Sequence, residues 1–243
     1  TYCAKVENTT QSTLHCSIQE AVDNANPGDV LVADPGAYNE NVTIDVAVTL
    51  QGANAGVDPC SGARSAESTL NGEFIISSDG VTIDGFELTG AGARIRSGGG
   101  GSATWSDIAI QYNYLHATDA QQPILHGFGN GGGIGTQNWL VDHNRIEDIQ
   151  ENDATAIVLF NITDLDVTNN CISHTNTGLS GNQGRRGMNI DGGVNATIGD
   201  NTVNMGLVTP VQTPPSFPNF FATRYPLQIS QSDRASGNVI VEN

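Results

Sequence analysis

The chain has 243 residues, with 9 lysines and arginines against 26 aspartates and glutamates and a formal charge of −17. So acidic a surface repels nucleic acid and anionic membranes, and neither is expected as a partner. No stretch approaches the ~20 consecutive apolar residues that a bilayer-spanning helix needs, so membrane insertion is not expected either.

Residues 1–28 read as an N-terminal segment ending in a helix. Ser17-Ile-Gln-Glu20 is a capping box, and it opens a short amphipathic helix predicted to run through about Asn26, where Pro27-Gly28 stops it. Val30-Leu-Val-Ala33 begins the first strand, and residues 29–204 form the main body. There one pattern recurs: apolar, two residues, Asn, one residue, apolar. It occurs as Ile110-Gln-Tyr-Asn113-Tyr-Leu115, Val141-Asp-His-Asn144-Arg-Ile146, Val167-Thr-Asn-Asn170-Cys-Ile172 and Ile198-Gly-Asp-Asn201-Thr-Val203. Ile83-Asp-Gly-Phe86-Glu-Leu88 is an earlier variant with Phe at the Asn position, and Ser236-Gly-Asn238-Val-Ile240 a weaker closing one. The steps from Phe86 to Asn238 are 27, 31, 26, 31 and 37 residues, which one variable loop per turn of a solenoid explains. Short strands with inward apolar residues at period two flank each Asn, and the amide sits at a tight bend where it can bond its neighbours in adjacent coils. A further strand precedes the later repeats, at Ile157-Val-Leu159, Met188-Asn-Ile190 and Leu227-Gln-Ile229, giving three strands per coil. Residues 97–104 and 127–135 are Gly-rich loops, 174–187 a polar one, and 205–226 a long Pro-rich aromatic one. Residues 227–243 form the last coil of a single domain.

This arrangement resembles the pectate-lyase-like superfamily of right-handed parallel β-helices over nearly the whole chain. The resemblance implies an all-β solenoid with an asparagine ladder and with the short helix plugging its N-terminal end; Pro35-Gly-Ala-Tyr38-Asn-Glu-Asn-Val-Thr-Ile44 looks like the usual first coil. It also implies an elongated groove on the strand after the longest loop. Arg94, Arg96, Thr136, Val158, Phe160, Asn189, Asp191, Gln228 and Ser230 are the outward positions there. Loops bordering that groove contribute His116, Asp119, His126, Glu151, Asp153, His174, Arg185 and Arg186.

Two enzymatic chemistries fit that groove. A polysaccharide lyase or uronate epimerase needs a cation against the C6 carboxylate and a base for the C5 proton. Arg185 and Arg186, with Arg94 and Arg96, are candidates for the first role, and His174 or an arginine in place of a lysine for the second; Lys5, the lone lysine, lies in the N-terminal segment and is excluded. Ca²⁺ held by Asp191, Asp153 or Glu151 would bridge acid to acid. Arg94, Arg96, His126, Asn189 and Phe160 are the expected substrate contacts. For a glycoside hydrolase, Asn189-Ile-Asp191 is similar to the Asn-x-Asp element of polygalacturonases, but that family's paired aspartates, Gly-His-Gly and Arg-x-Lys do not follow. Asn138-Trp-Leu-Val-Asp142-His143 looks like the Trp-Ile-Asp-His segment of pectate lyases, whose Arg-x-Pro-x-x-Arg is absent; Asp142 and His143 fall at the asparagine bend, as a structural hydrogen-bonded pair. The competing expectation is a non-catalytic surface, adhesive or filament-forming module that self-associates through solenoid ends and edges.

The four cysteines, Cys3, Cys16, Cys60 and Cys171, match no zinc spacing and point to disulfides in an oxidising compartment. Cys3–Cys16 and Cys60–Cys171 are the expected bridges among three possible pairings. Sequons at Asn8, Asn41, Asn161 and Asn195 offer glycan attachment points. Together with an opening Thr1-Tyr2-Cys3, these features lead us to expect a secreted or cell-surface glycoprotein with a polysaccharide partner.

Overall fold

The structure is a computed structural model, and it describes residues 5–100, 103–127, 135–149, 154–173, 186–192, 194–204, 225–230 and 239–241. The chain winds as a parallel β-helix whose coils each give one strand to sheets A, B and C in turn. An antiparallel ribbon, β1 (Val6–Asn8) and β2 (Thr13–His15), precedes helix α1 (Ile18–Asp23). The first coil is β3 (Asp29–Ala33), β4 (Gly36–Tyr38) and β5 (Val42–Ile44). Next come β6 (Val48–Gln51), β7 (Ser68–Leu70) and β8 (Glu73–Ile76), then β9 (Thr82–Asp84), β10 (Glu87–Thr89) and β11 (Arg94–Ser97). The fourth coil is β12 (Ile108–Gln111), β13 (Tyr114–His116) and β14 (Ile124–His126). The fifth is β15 (Thr136–Asp142), β16 (Arg145–Glu147) and β17 (Thr155–Phe160). The sixth is β18 (Ile162–Thr168), β19 (Cys171–Ser173) and β20 (Arg186–Asp191). The seventh is β21 (Val194–Gly199), β22 (Thr202–Asn204) and β23 (Tyr225–Ser230), and β24 (Val239–Val241) returns to sheet A.

Period-two alternation fills the interior. Leu31, Leu50, Ile83, Ile110, Val141, Val167 and Ile198 form one buried column inside sheet A, and Leu70, Leu88, Leu115, Ile146 and Ile172 another inside sheet B.

The corner between sheets A and B carries the asparagine ladder. Asn144 Oδ1 accepts the Asn113 backbone N–H and Nδ2–H, both at 3.1 Å, and Asn144 Nδ2 donates to Ile110 O at 2.8 Å. The same set links Asn144 to Asn170, at 2.9 and 3.0 Å, and Asn170 to Asn201 at the same distances. The ladder ends on Phe86, whose N–H donates to Asn113 Oδ1 at 3.0 Å. The residue before each rung, at Gly85, Tyr112, His143, Asn169 and Asp200, is left-handed with φ between 51° and 76°. That conformation reverses the chain in two residues, and the buried amide satisfies the backbone groups the reversal leaves unpaired.

The weak closing repeat is out of phase. Val239–Val241 pairs with Ala196–Ile198 in sheet A, whereas the repeat would put this strand after the corner, in sheet B. Asn238 lies outside the described residues. Helix α1 stops at Asp23, earlier than predicted, because Asn24 caps it by returning its Nδ2–H to Glu20 O at 2.8 Å. At its other end the N-cap Ser17 Oγ accepts the Glu20 N–H, and Glu20 Oε2 reaches back to the N–H of Cys16, one residue before the cap.

α1 also seals the first strand of sheet C. Gln19 Oε1 accepts the Thr43 N–H at 2.7 Å and Gln19 Nε2 donates to Thr43 O at 3.1 Å, so one side-chain amide imitates a neighbouring strand. Open sheet edges template association. Gln19→Ala is therefore expected to leave the fold intact but to make light scattering rise with protein concentration; a monomeric variant would show that the helix body alone guards the edge.

One corner departs from the rest. Between β6 and β7 the chain makes a strap, residues 52–67, that climbs along the A/B corners of later coils. Arg64 donates to Gly85 O at 3.1 Å and Tyr112 O at 2.6 Å, and Arg145 to Pro59 O at 3.3 Å. Cys60 is bonded to Cys171, which joins the strap to the sixth coil. Gly85 alone in its column lacks a side chain, because a Cβ there would lie 2.1 Å from Ala55 N of the strap. The Cys60–Cys171 expectation thus holds; Cys16 is also disulfide-bonded, and Cys3 lies outside the described residues.

Candidate functional site: the outer face of sheet C

Strand bounds show where connection length varies along the chain. Six of the seven A-to-B corners hold two residues, the strap being the exception. The B-to-C connections lengthen along the solenoid, from 71–72 through 90–93 and 117–123 to 174–185 and 205–224. The C-to-A connections are longest at 98–107 and 127–135. Long connections therefore border sheet C on both sides, and functional groups concentrate on such loops around a rigid scaffold.

Register sets the outward row of sheet C as Thr43, Ile75, Arg96, Leu125, Val158 and Asn189, with Gln228 the register partner of Asn189. Beside it, Arg94 pairs with Glu73, and Phe160 with Asp191 and Ser230. Arg94 and Arg96 point outward as predicted, with side chains 31% and 25% exposed. Both are engaged by one carboxylate: Glu73 Oε2 accepts from Arg94 Nε at 2.7 Å and Arg96 Nε at 2.8 Å, and Oε1 from Arg96 Nη2 at 3.0 Å. The hydrogen bond from Arg96, with that from Arg94, holds the Glu73 carboxyl below its usual range against the opposing effect of burial. The trio keeps one net positive charge on an acidic protein.

Toward the other end of the face, Asn189 and Asp191 are half-buried, and their Oδ1 atoms are buried acceptors without a hydrogen-bond donor among the described residues. Phe160 is half-buried beside Asp191. Arg96 and Asn189 stand three strands apart, about 14 Å at ~4.8 Å per strand, so these groups line an extended surface and do not meet at one reacting atom. Outward Val158 is nevertheless buried.

Of the other predicted site residues, His174, Arg185, Glu151 and Asp153 lie outside the described residues, as does the Arg186 side chain. Among the described residues no three His, Cys, Asp or Glu side chains are grouped to hold a metal ion. His126 is a correction. Its ring is not on a bordering loop but inside the solenoid, because Ile124 and His126 share the inward side of β14 and His126 is register partner to buried Leu159. Thr136 likewise belongs to sheet A and is buried. Asn8 is a second correction: on the inward side of β1 it is fully buried, donating to Asp29 Oδ2 at 2.7 Å and accepting the Thr10 and Gln11 N–H groups, which leaves no room for a glycan. Asn41 and Asn195 are exposed and Asn161 half-buried.

No known protein family, curated protein or solved structure matches this chain. Its chemistry is therefore read from its own surfaces. The outer face of sheet B is a closed polar network: Tyr114 stacks on His116 at 4.3 Å and donates to Glu147, His116 meets Glu87 at 2.9 Å, and Arg145 pairs with Glu147 at 2.8 Å. His143 Nδ1 and Asp142 Oδ2 are 2.6 Å apart beside the ladder, where Asp142 also accepts from Thr168 and Asn169; the pair braces the corner, as expected. A shallow depression of about 400 Å³ outside sheet A is lined by Asn138, Leu140, Asp164 and Asp166, with Asn195 bonded to Asp164 across it. Sheet C alone combines bordering loops, outward arginines and unbonded acceptors among the described residues. It is the candidate site.

Proposed function

We propose that the chain is an extracellular carbohydrate-active protein, of the pectate-lyase-like kind, that holds an acidic polysaccharide along the outer face of sheet C and acts on it as a lyase or uronate epimerase. The concentration of long connections along both borders of that sheet carries this reading. Arg94 and Arg96, fixed by Glu73, would receive a uronate carboxylate at little entropic cost. Asn189 and Asp191 offer acceptors to sugar hydroxyls, or Asp191 with Asp153 and Glu151 to bridging Ca²⁺. The reacting groups would be Arg186 at the start of β20, Arg185 just before it, and His174, which follows β19 in sequence. A disulfide is present, and among the described residues no helix is long and apolar enough to cross a membrane, which suits an oxidising, extracellular setting.

Alginate and polygalacturonate incubated with the protein, with and without Ca²⁺, test the proposal. Unsaturated uronate absorbance is expected from a lyase and deuterium uptake at C5 from an epimerase, and Arg94→Ala with Arg96→Ala should weaken binding at least about tenfold, the value of one charge-assisted contact. Binding without turnover would favour a second reading, a non-catalytic surface or adhesive module, which the engagement of both arginines by Glu73 supports. Absence of binding to either polymer would overturn both.

A further inference from the structure

Three buried polar side chains form a column in the core apart from the asparagine ladder. His126 Nδ1 lies 2.5 Å from Ser97 Oγ and its Nε2 lies 3.2 Å from Thr136 Oγ1, all three side chains being buried. Trp139 packs on the ring with centroids 4.4 Å apart, and its indole N–H donates to Trp105 O at 2.8 Å. Among the described residues the groups facing the imidazole are Ser97 from β11, Thr136 and Trp139 from β15, and the register neighbour Leu159 from β17; none of these is charged.

Position gives this column a consequence. His126 ends β14 and Thr136 begins β15, so their contact closes the base of the C-to-A connection 127–135. Gly127 and Gly135, the first and last residues of that connection, have φ of +70° and +90°, the left-handed region that favours glycine. We infer that His126 is an acid-sensitive pin: protonating its imidazole puts an uncompensated charge into the core and loosens the corner between β14 and β15, while the rest of the solenoid stays wound. Hydroxyls on both sides can turn to accept from a doubly protonated ring, so the hydrogen bonds survive and the buried charge is what opposes protonation.

The direction follows from linkage. Burial lowers the His126 value to about 4, whereas an opened corner returns it toward the ordinary ~6.5. Between those values the open form binds a proton that the closed form does not. The closed corner is thus fully favoured above about pH 6.5, and the open-to-closed ratio grows by up to tenfold per pH unit on the way down to about 4, over a hundredfold in all.

Amide exchange measured from pH 7 to pH 4, expressed as protection factors, tests this. Amides of Leu125–Gly127 and Gly135–Gln137 should lose protection by more than a hundredfold, while those of Asn144–Ile146 on the ladder change little. In His126→Gln the first group should become independent of pH. The imidazole of the wild-type protein, followed by NMR, should titrate near 4, a readout that does not depend on whether the variant folds. Flat protection at the corner, or equal loss at corner and ladder, overturns the inference, as does an imidazole titrating near 6.5 in the folded protein.

Discussion

Asn144→Ala is expected to lower stability by about 4 kcal/mol, the largest effect of any single ladder substitution. Asn144 is fully buried, and its amide spans two coils: Nδ2 donates to Ile110 O and Asn170 Oδ1, and Oδ1 accepts two N–H groups of Asn113. Truncation leaves the Asn113 N–H and Ile110 O without partners inside the core, at about 1–3 kcal/mol each, and adds a small cavity. Asn144→Asp should be at least as damaging, since a carboxylate lacks the two donors and brings a charge. The end rung, Asn201, is half-buried, and Asn201→Ala should cost roughly half as much. Urea unfolding of the three variants measures the order; equal and small losses, below about 1 kcal/mol, would mean that backbone pairing alone sets the corner.

Removing the Cys60–Cys171 bond comes second. The bridge closes a loop of sequence separation 111, for which chain entropy alone predicts about 4–5 kcal/mol; with both cysteines replaced by serine a loss of about 3–4 kcal/mol is expected. At this chain length that lowers the melting temperature by roughly 10 °C. The second cysteine must be changed too, or a free thiol confuses the result. Arg64 should hold the lower strap in place through Gly85 O and Tyr112 O, so proteolysis of the double variant is expected near Val57–Ser61 and not at the Arg64–Glu67 pair. A melting temperature equal to that of wild type would show the strap to be an ornament on an already rigid stack.

The winding was legible because one corner repeats its chemistry. Asn113, Asn144, Asn170 and Asn201 each lie two residues after a sheet A strand and one before a three-residue sheet B strand, so the local pattern recurs however long the other connections are. The first two coils gave no such signal, since their A/B corners hold no ladder amide. The strap was invisible for the same reason, although its cysteine was not. β1 and β2, three residues each, are too short for periodicity to register. His126 and Asn8 were misplaced by weighing residue type above phase: Ile124-Leu-His126 and Val6-Glu-Asn8 both alternate, and alternation puts the polar residue inside. The polar pair Ser97 and His126, each two residues after an inward isoleucine, was the available clue. On sheet C the outward phase of Arg94, Arg96, Asn189 and Asp191 was readable, but Glu73's hold on both arginines depends on strand register across coils, which a linear sequence does not display.

The three corners differ in what they tolerate. Where Asn and a left-handed neighbour reverse the chain, length is locked; at the two junctions flanking sheet C, the polypeptide has run from one residue to twenty between strands without disturbing the stack. Such a scaffold separates inheritance of shape from variation of surface. New surfaces can be grafted beside sheet C by insertion, each addition costing little loop entropy, while the hydrogen-bonded spine keeps every other strand in phase.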